Sequence, residues 1–154
     1  MKLWRLTREP FAALDGAGAV RNGARYAPEG ARIVSLASDA ALAVLIALRY
    51  LPRDLRGIPD DFVLGWTEVD AAPLRLVEAG GEEGIRAQVG AWLDSKSALL
   101  AAVTSRVLPE GDVIMLNPAH PAAANVPPLT LRPFSFADCL HRPPMLDRYA
   151  ANSG

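Results

Sequence analysis

LDGAGAVRNGARYAPEGARIVSLASDAALAVLIALRYL, residues Leu14–Leu51, decides how this chain is read. Gly16, Gly18, Gly23 and Gly30 mark its first half as loop, and Arg25 stands among them. Arg32–Leu36 (RIVSL) is β-branched and apolar, which predicts a strand bounded by Gly30 and Ser38. Ser38 reads as a helix N-cap, with Asp39 in the first turn, where a carboxylate suits the helix dipole. The helix that follows runs to about Leu51 and stops at Pro52. It has no polar face before Arg49, so it is expected to be buried on most sides. Basic side chains beside glycines suit a bound phosphate, and a buried helix behind them would hold the site rigid. The plain alternative stays open: Gly and Asn punctuate turns in any fold, and an Ala/Leu helix is ordinarily core.

Upstream, Lys2–Leu6 predicts a first strand containing Arg5. Arg5 either faces solvent or points into a cleft, and local pattern does not separate the two. Thr7–Gly30 reads as loop with one short helical turn around Phe11–Leu14, and a loop of that length is often functional. Downstream, Pro52–Asp61 is a connection and Phe62–Val69 a strand. Ala71–Gly81 is either a short helix or irregular. Glu82–Asp94 predicts an amphipathic helix, with Ile85, Val89 and Trp92 at helical spacing. Ala98–Thr104 is a strand or short buried segment, and Val113–Leu116 a strand. Asn117–Pro121 is a stiff turn, because each proline fixes its own φ and restrains the residue before it. Leu129–Pro133 is a late strand, and Pro133, which cannot donate to a ladder, marks it as an edge or an end. The Pro- and Arg-rich end, about residues 137–154, is expected to be a loosely packed tail.

No internal repeat or linker divides the chain, so residues 1–154 form one domain. Strands and helices mix without regular βαβ alternation. The expected class is α+β, with a mixed or antiparallel central sheet and flanking helices.

Composition narrows the function. Sixteen Lys and Arg face seventeen Asp and Glu, a balance that argues against direct nucleic-acid binding. A single cysteine, Cys139, excludes an internal disulfide and fits a reducing cytoplasm. The charged start MKLWRLTREP has no apolar core of a signal peptide, and the run Ala40–Leu48 is too short to cross a bilayer. There is no P-loop, and the GAG at Gly16–Gly18 does not continue into a dinucleotide fingerprint. His120, His141 and Cys139 have no metal-ligand spacing, so no metal is expected. His120, between two prolines, reads as a turn residue, and Cys139 as a small buried apolar one.

The order of the motifs carries more than any one of them. Trp4-Arg5-Leu6, then Leu14–Ala19 (LDGAGA) and Gly23–Tyr26 (GARY), then Ile33–Ala37 and the helix after Asp39, are followed by Gly90-Ala91-Trp92-Leu93. Val103-Thr104-Ser105, Leu116–Pro121 (LNPAHP) and Arg132–Phe136 (RPFSF) complete the series. In this order the chain resembles the RES-domain family of bacterial toxins. The resemblance implies an ADP-ribosyltransferase-like fold, NAD+ as substrate without a metal, and a cognate antitoxin as partner. It implies cleavage of the nicotinamide–ribose bond by hydrolysis, phosphorolysis or ADP-ribosyl transfer, through an oxocarbenium-like transition state. Carried over, Arg25 falls on the family's loop arginine and Ser105 on its later serine; Arg5 and Tyr26 join them as candidate NAD+-binding residues. Self-association is left open.

The departures fall in the chemistry. Where the family has a tyrosine in the strand, this chain has Ser35; where it has a glutamate on the helix, this chain has Ile46. Ser35 cannot stack on nicotinamide, and Ile46 cannot stabilise positive charge. No Asp or Glu lies between Asp39 and Asp54, so a slip in register does not restore the acid. Glu29, Glu68 or Asp70 could supply a carboxylate from elsewhere, and nothing in the sequence assigns any of them that role. Two expectations follow: an enzyme with a rearranged site, or a degenerate domain that survives as a binding protein.

Overall fold

A computed structural model describes residues 1–140. Seven strands form one sheet: β1 (Lys2–Arg8), β2 (Val34–Ala37), β3 (Phe62–Glu68), β4 (Leu74–Arg75), β5 (Leu100–Thr104), β6 (Asp112–Leu116) and β7 (Thr130–Pro133). The helices are α1 (Ala17–Asn22), α2 (Ala40–Tyr50), α3 (Gly81–Ser95) and α4 (Phe136–Leu140). The strand order is β4-β5-β6-β2-β1-β3-β7, and every neighbouring pair is antiparallel except β4 with β5. This is the expected α+β class with a mixed, mainly antiparallel sheet.

The central strands bury both faces, so they read as continuous apolar runs. Along β5 and β6, Ala101, Val103, Val113 and Met115 pack under α3, and Leu100, Ala102, Ile114 and Leu116 pack on the other side. From α3, Ile85, Val89 and Trp92 enter the first of these clusters. Burying Ile85 and Val89 stabilises by roughly 1.5–3 kcal/mol each. Trp92 also donates its indole N–H to the Ala98 carbonyl at 2.8 Å.

One break in the sheet positions the site. β1 and β2 pair only at Trp4–Ala37, and the ladder does not continue to Leu6 and Ser35. By contrast β1 pairs with β3 along all seven residues, Lys2 to Arg8.

Several expectations need correction. The first strand extends beyond Leu6 to Arg8, held there by its pairing with β3. The helical turn sits at Glu9–Phe11, and a further helix, α1, lies inside what reads as loop. Six residues with one large apolar side chain leave no periodicity to detect; α1 is fixed by its surroundings. Gly16 precedes it at φ 75°, and a Cβ there would come within 2.7 Å of the Ile33 backbone nitrogen, so only glycine brings α1 this close to β2. Asp39, not Ser38, is the N-cap of α2: its carboxylate accepts from Leu42 N at 2.8 Å. The Ser38 hydroxyl is taken by the sheet, accepting from Asp112 N at 2.9 Å.

The helix α2 is not buried on most sides. Only Leu42 and Ala43 are buried, and Leu45 is exposed, because one flank packs on the sheet and nothing among the described residues covers the other. Ala71–Gly81 is neither a short helix of its own nor wholly irregular: Leu74–Arg75 adds a parallel edge to β5, and Gly81 opens α3. Cys139 is exposed, on an outer side of the short helix α4 that only Phe136 anchors in the core. Leu129–Pro133 holds as an edge strand, ending at Pro133 opposite Val63. Most of the expected tail, with His141, lies outside the described residues.

Candidate active site

A cleft of about 820 Å³ opens where β1 and β2 part. β1, α1 and the loop after it, β2, the C-terminal half of α2 and the turn after β5 all line it. Arg5, Arg25, Tyr26, Ser35, Ile46 and Ser105, scattered along the sequence, meet there.

Arg5 is the least ordinary group in the molecule. Its Nη1 is sealed from solvent and has no hydrogen-bond partner among the described residues. A Cβ placed on Gly18 would lie 3.5 Å from its Nη2, so α1 closes over the guanidinium. Burial pushes the Arg5 pKa down from its ordinary value, with Asp15 pulling weakly the other way. Of the two orientations left open by the strand pattern, the cleft is the one adopted.

Arg25 is held from across the fold. Its Nε and Nη2 each lie 2.5 Å from Glu82 Oε1, at the start of α3. The hydrogen bond to Glu82 raises the Arg25 pKa, and the same bond holds the Glu82 carboxyl below the usual carboxylate range. The Arg25 carbonyl accepts from Arg86 Nη2 at 3.0 Å, which fixes the loop backbone. Tyr26 is buried, with the Arg25 guanidinium 5.6 Å from its ring centre.

Ser105 is buried at the end of β5. Its hydroxyl accepts from Val107 N at 3.2 Å and Leu108 N at 3.3 Å, which shapes the turn and leaves the hydroxyl hydrogen available. Ser35 is exposed between buried Val34 and Leu36, so it faces the opening. Ile46 lines the cleft from α2 while packing against two core clusters.

The lining includes six arginines: Arg5, Arg8, Arg21, Arg25, Arg49 and Arg106. Among the described residues it includes no Asp or Glu. Glu29, Glu68 and Asp70 are exposed elsewhere and do not reach it. Arg8, Arg21, Arg49 and Arg106 went unsuspected in the sequence, where only Arg5 and Arg25 stood beside a recognisable motif. Glu82 went unsuspected for a different reason: it lies 57 positions from Arg25. Guanidiniums gathered in this way suit an anion, and Glu82, engaged by Arg25 and 3.7 Å from Arg106, is a carboxylate beside the lining.

The LNPAHP turn has a structural role. Buried Asn117 donates to the Leu93 carbonyl at 3.1 Å and accepts from Ala119 N at 3.0 Å, tying α3 to the turn. His120 Nδ1 accepts from Ala122 N at 3.1 Å, as a turn residue should. Among the described residues no cluster of His, Cys, Asp and Glu could hold a metal ion, and no helix is long and apolar enough to cross a membrane.

Comparison with known proteins identifies the family. The family model for the RES domain matches residues 2–137. The chain is 32% identical over 130 residues to "Toxin Res" of Pseudomonas putida, covering 80% of this chain and 88% of that one. It is 34% identical over 127 residues to the "Prs ADP-ribosylating toxin" of a Sphingobium species, covering 73% of this chain and 77% of that one. Among solved structures, the M. tuberculosis MbcT-MbcA toxin-antitoxin complex contains a chain of similar fold. The match has a TM-score of 0.65 and 17% identity, over 96% of this chain and 87% of that one. With a family model matched over nearly its whole length and two relatives above 30% identity, this chain belongs to the RES-domain family.

Proposed function

We propose that this chain is the toxin-side member of a toxin–antitoxin pair, working in the cytoplasm, and that its cleft takes up NAD+. Arg5 carries the reading. A guanidinium nitrogen sealed from water without a partner costs stability, and because Arg5 lines the cleft, an anion there would supply the missing partner once the residues covering Nη1 shift aside. The pyrophosphate of NAD+ is such an anion, with oxygens spaced for the planar fork of an arginine. Arg25 is the second phosphate ligand, exchanging or sharing Glu82 when the dinucleotide arrives. Tyr26 backs the Arg25 side chain, and Ser105 has a hydroxyl hydrogen to donate. The relatives support the reading: one is named as an ADP-ribosylating toxin, and ADP-ribosyl groups come from NAD+. The fold neighbour was solved together with its antitoxin, which supports a protein partner of that kind here.

The missing carboxylate favours a second reading, in which the cleft holds NAD+ without cleaving it. Breaking the nicotinamide–ribose bond builds positive charge on the sugar. An acid close by stabilises that charge, whereas the Ile46 side chain cannot and surrounding guanidiniums oppose it. Ser35 likewise has no ring to stack on nicotinamide. Binding retained and cleavage lost is the state the residues support best.

Calorimetric titration of NAD+ into wild type and Arg25→Ala tests the binding claim. The expected result is measurable binding by wild type and a loss of tenfold or more in the variant. Equal affinities would remove Arg25 from the site, and no heat with either protein would remove NAD+.

A further inference from the structure

The arginines of the cleft are not equivalent. Arg8 pairs with Asp61, Arg25 with Glu82, and Arg106 with Glu78. Arg5, Arg21 and Arg49 form no salt bridge among the described residues. Three arginines without a salt bridge, of which Arg21 and Arg49 are exposed, therefore line one cleft whose lining among the described residues includes no acid.

A pyrophosphate does not match that charge. It is a diester with two negative charges, and the nicotinamide ring of NAD+ brings a positive charge of its own. Arg5 and Arg25 suffice for the pyrophosphate, which leaves the exposed guanidiniums of Arg21 and Arg49 open to a further anionic group. Arg21 leaves the last turn of α1, its guanidinium 5.6 Å from the ring centre of Phe11. Arg49 leaves the last turn of α2. A cation in a last turn complements a helix dipole, but that does not explain why both arginines line the same cleft.

Resting on the reading of the cleft as a nicotinamide-dinucleotide site, we propose that it prefers the dinucleotide bearing one more phosphate, the 2′-phosphorylated form NADP+. A phosphate monoester adds about −1.5 to −2 charge at neutral pH, which answers the surplus of Arg21 and Arg49. Arginine also meets such a group with a planar fork of donors, where lysine offers a point charge.

The test is calorimetric titration of the full chain with NADP+ and with NAD+, at fixed ionic strength in phosphate-free buffer. NADP+ is expected to bind about tenfold tighter, about 1.4 kcal/mol. Arg21→Ala with Arg49→Ala should abolish the preference, bringing the NADP+ and NAD+ affinities of the variant to within about twofold of each other. Each single variant repeats the comparison should the double variant fold poorly. Equal affinities in wild type, or a preference that survives the double substitution, would overturn the assignment and leave the NAD+ reading standing. If inorganic phosphate raises NAD+ affinity to the NADP+ level, the arginines serve a free phosphate, and the assignment is again overturned. Binding of neither dinucleotide would overturn the underlying reading itself.

Discussion

Arg25 grips a single oxygen of Glu82 with two nitrogens, both at 2.5 Å, so the loop that enters the cleft is tied to the start of α3. The guanidinium that would meet a pyrophosphate is therefore already engaged, and Glu82 competes with the ligand. Glu82→Gln removes the competing charge and keeps the shape. It should tighten NAD+ binding by about threefold to tenfold, as expected for losing a partly exposed ion pair on the free protein. Unchanged or weaker binding by calorimetry would show that the pair positions Arg25 and does not compete for it.

The same pair has a pH signature. Glu82 lies below its ordinary value of 4.5, chiefly because Arg25 donates to it. Asp61 and Asp112 lie below their ordinary 3.8 through hydrogen bonds from Arg8 and Arg75. A depressed carboxylate stabilises the folded state fully above its unfolded pKa, and the stabilisation is lost as pH falls through the folded pKa. Thermal stability should therefore hold from neutral pH to about pH 5 and decline below it. Glu82→Gln should flatten part of that decline. A melting profile in which the variant tracks wild type at every pH contradicts the linkage.

Arg5 should behave as a group kept for a ligand and not for the fold. Arg5→Met keeps an apolar stem of similar length and removes the unpartnered charge. Relief of about 1 kcal/mol would raise the melting temperature by about 2–4 °C in a chain of this size. The same variant should lose NAD+ binding by more than tenfold. A lower melting temperature with unchanged affinity would make Arg5 structural.

Asn117 should show the opposite pattern. Asn117→Ala strands the Leu93 carbonyl and the Ala119 N–H, both near a fully buried position. Two unsatisfied groups predict about 2–4 kcal/mol of destabilisation in urea unfolding. A loss below about 1 kcal/mol would mean that water replaces the side chain.

How much of this was legible follows from how local each signal is. Ile85, Val89 and Trp92 announce α3 because their spacing alone defines a helix face. Pro133 announces an edge because a missing N–H is a property of one residue. The helix α1 was illegible, since its six residues are shaped by the contact of Gly16 with Ile33. The burial of α2 was misjudged because apolar composition says what a helix can bury, not which of its sides another described element packs against. The site divides in the same way. Arg25, Tyr26, Ser35, Ile46 and Ser105, named from the motif register, line one cleft. The state of Arg5, the grip of Glu82 and the four additional arginines depend on contacts between distant segments, which no window of sequence contains.

The central claim is that this cleft keeps its phosphate grip and has lost its acid. Following nicotinamide release from NAD+ by chromatography, with wild type beside the Ser35→Tyr, Ile46→Glu double variant, tests it most directly. The account predicts no release by wild type and release by the double variant, which regains an aromatic ring and a carboxylate at two positions that line the cleft. Steady release by wild type would contradict it.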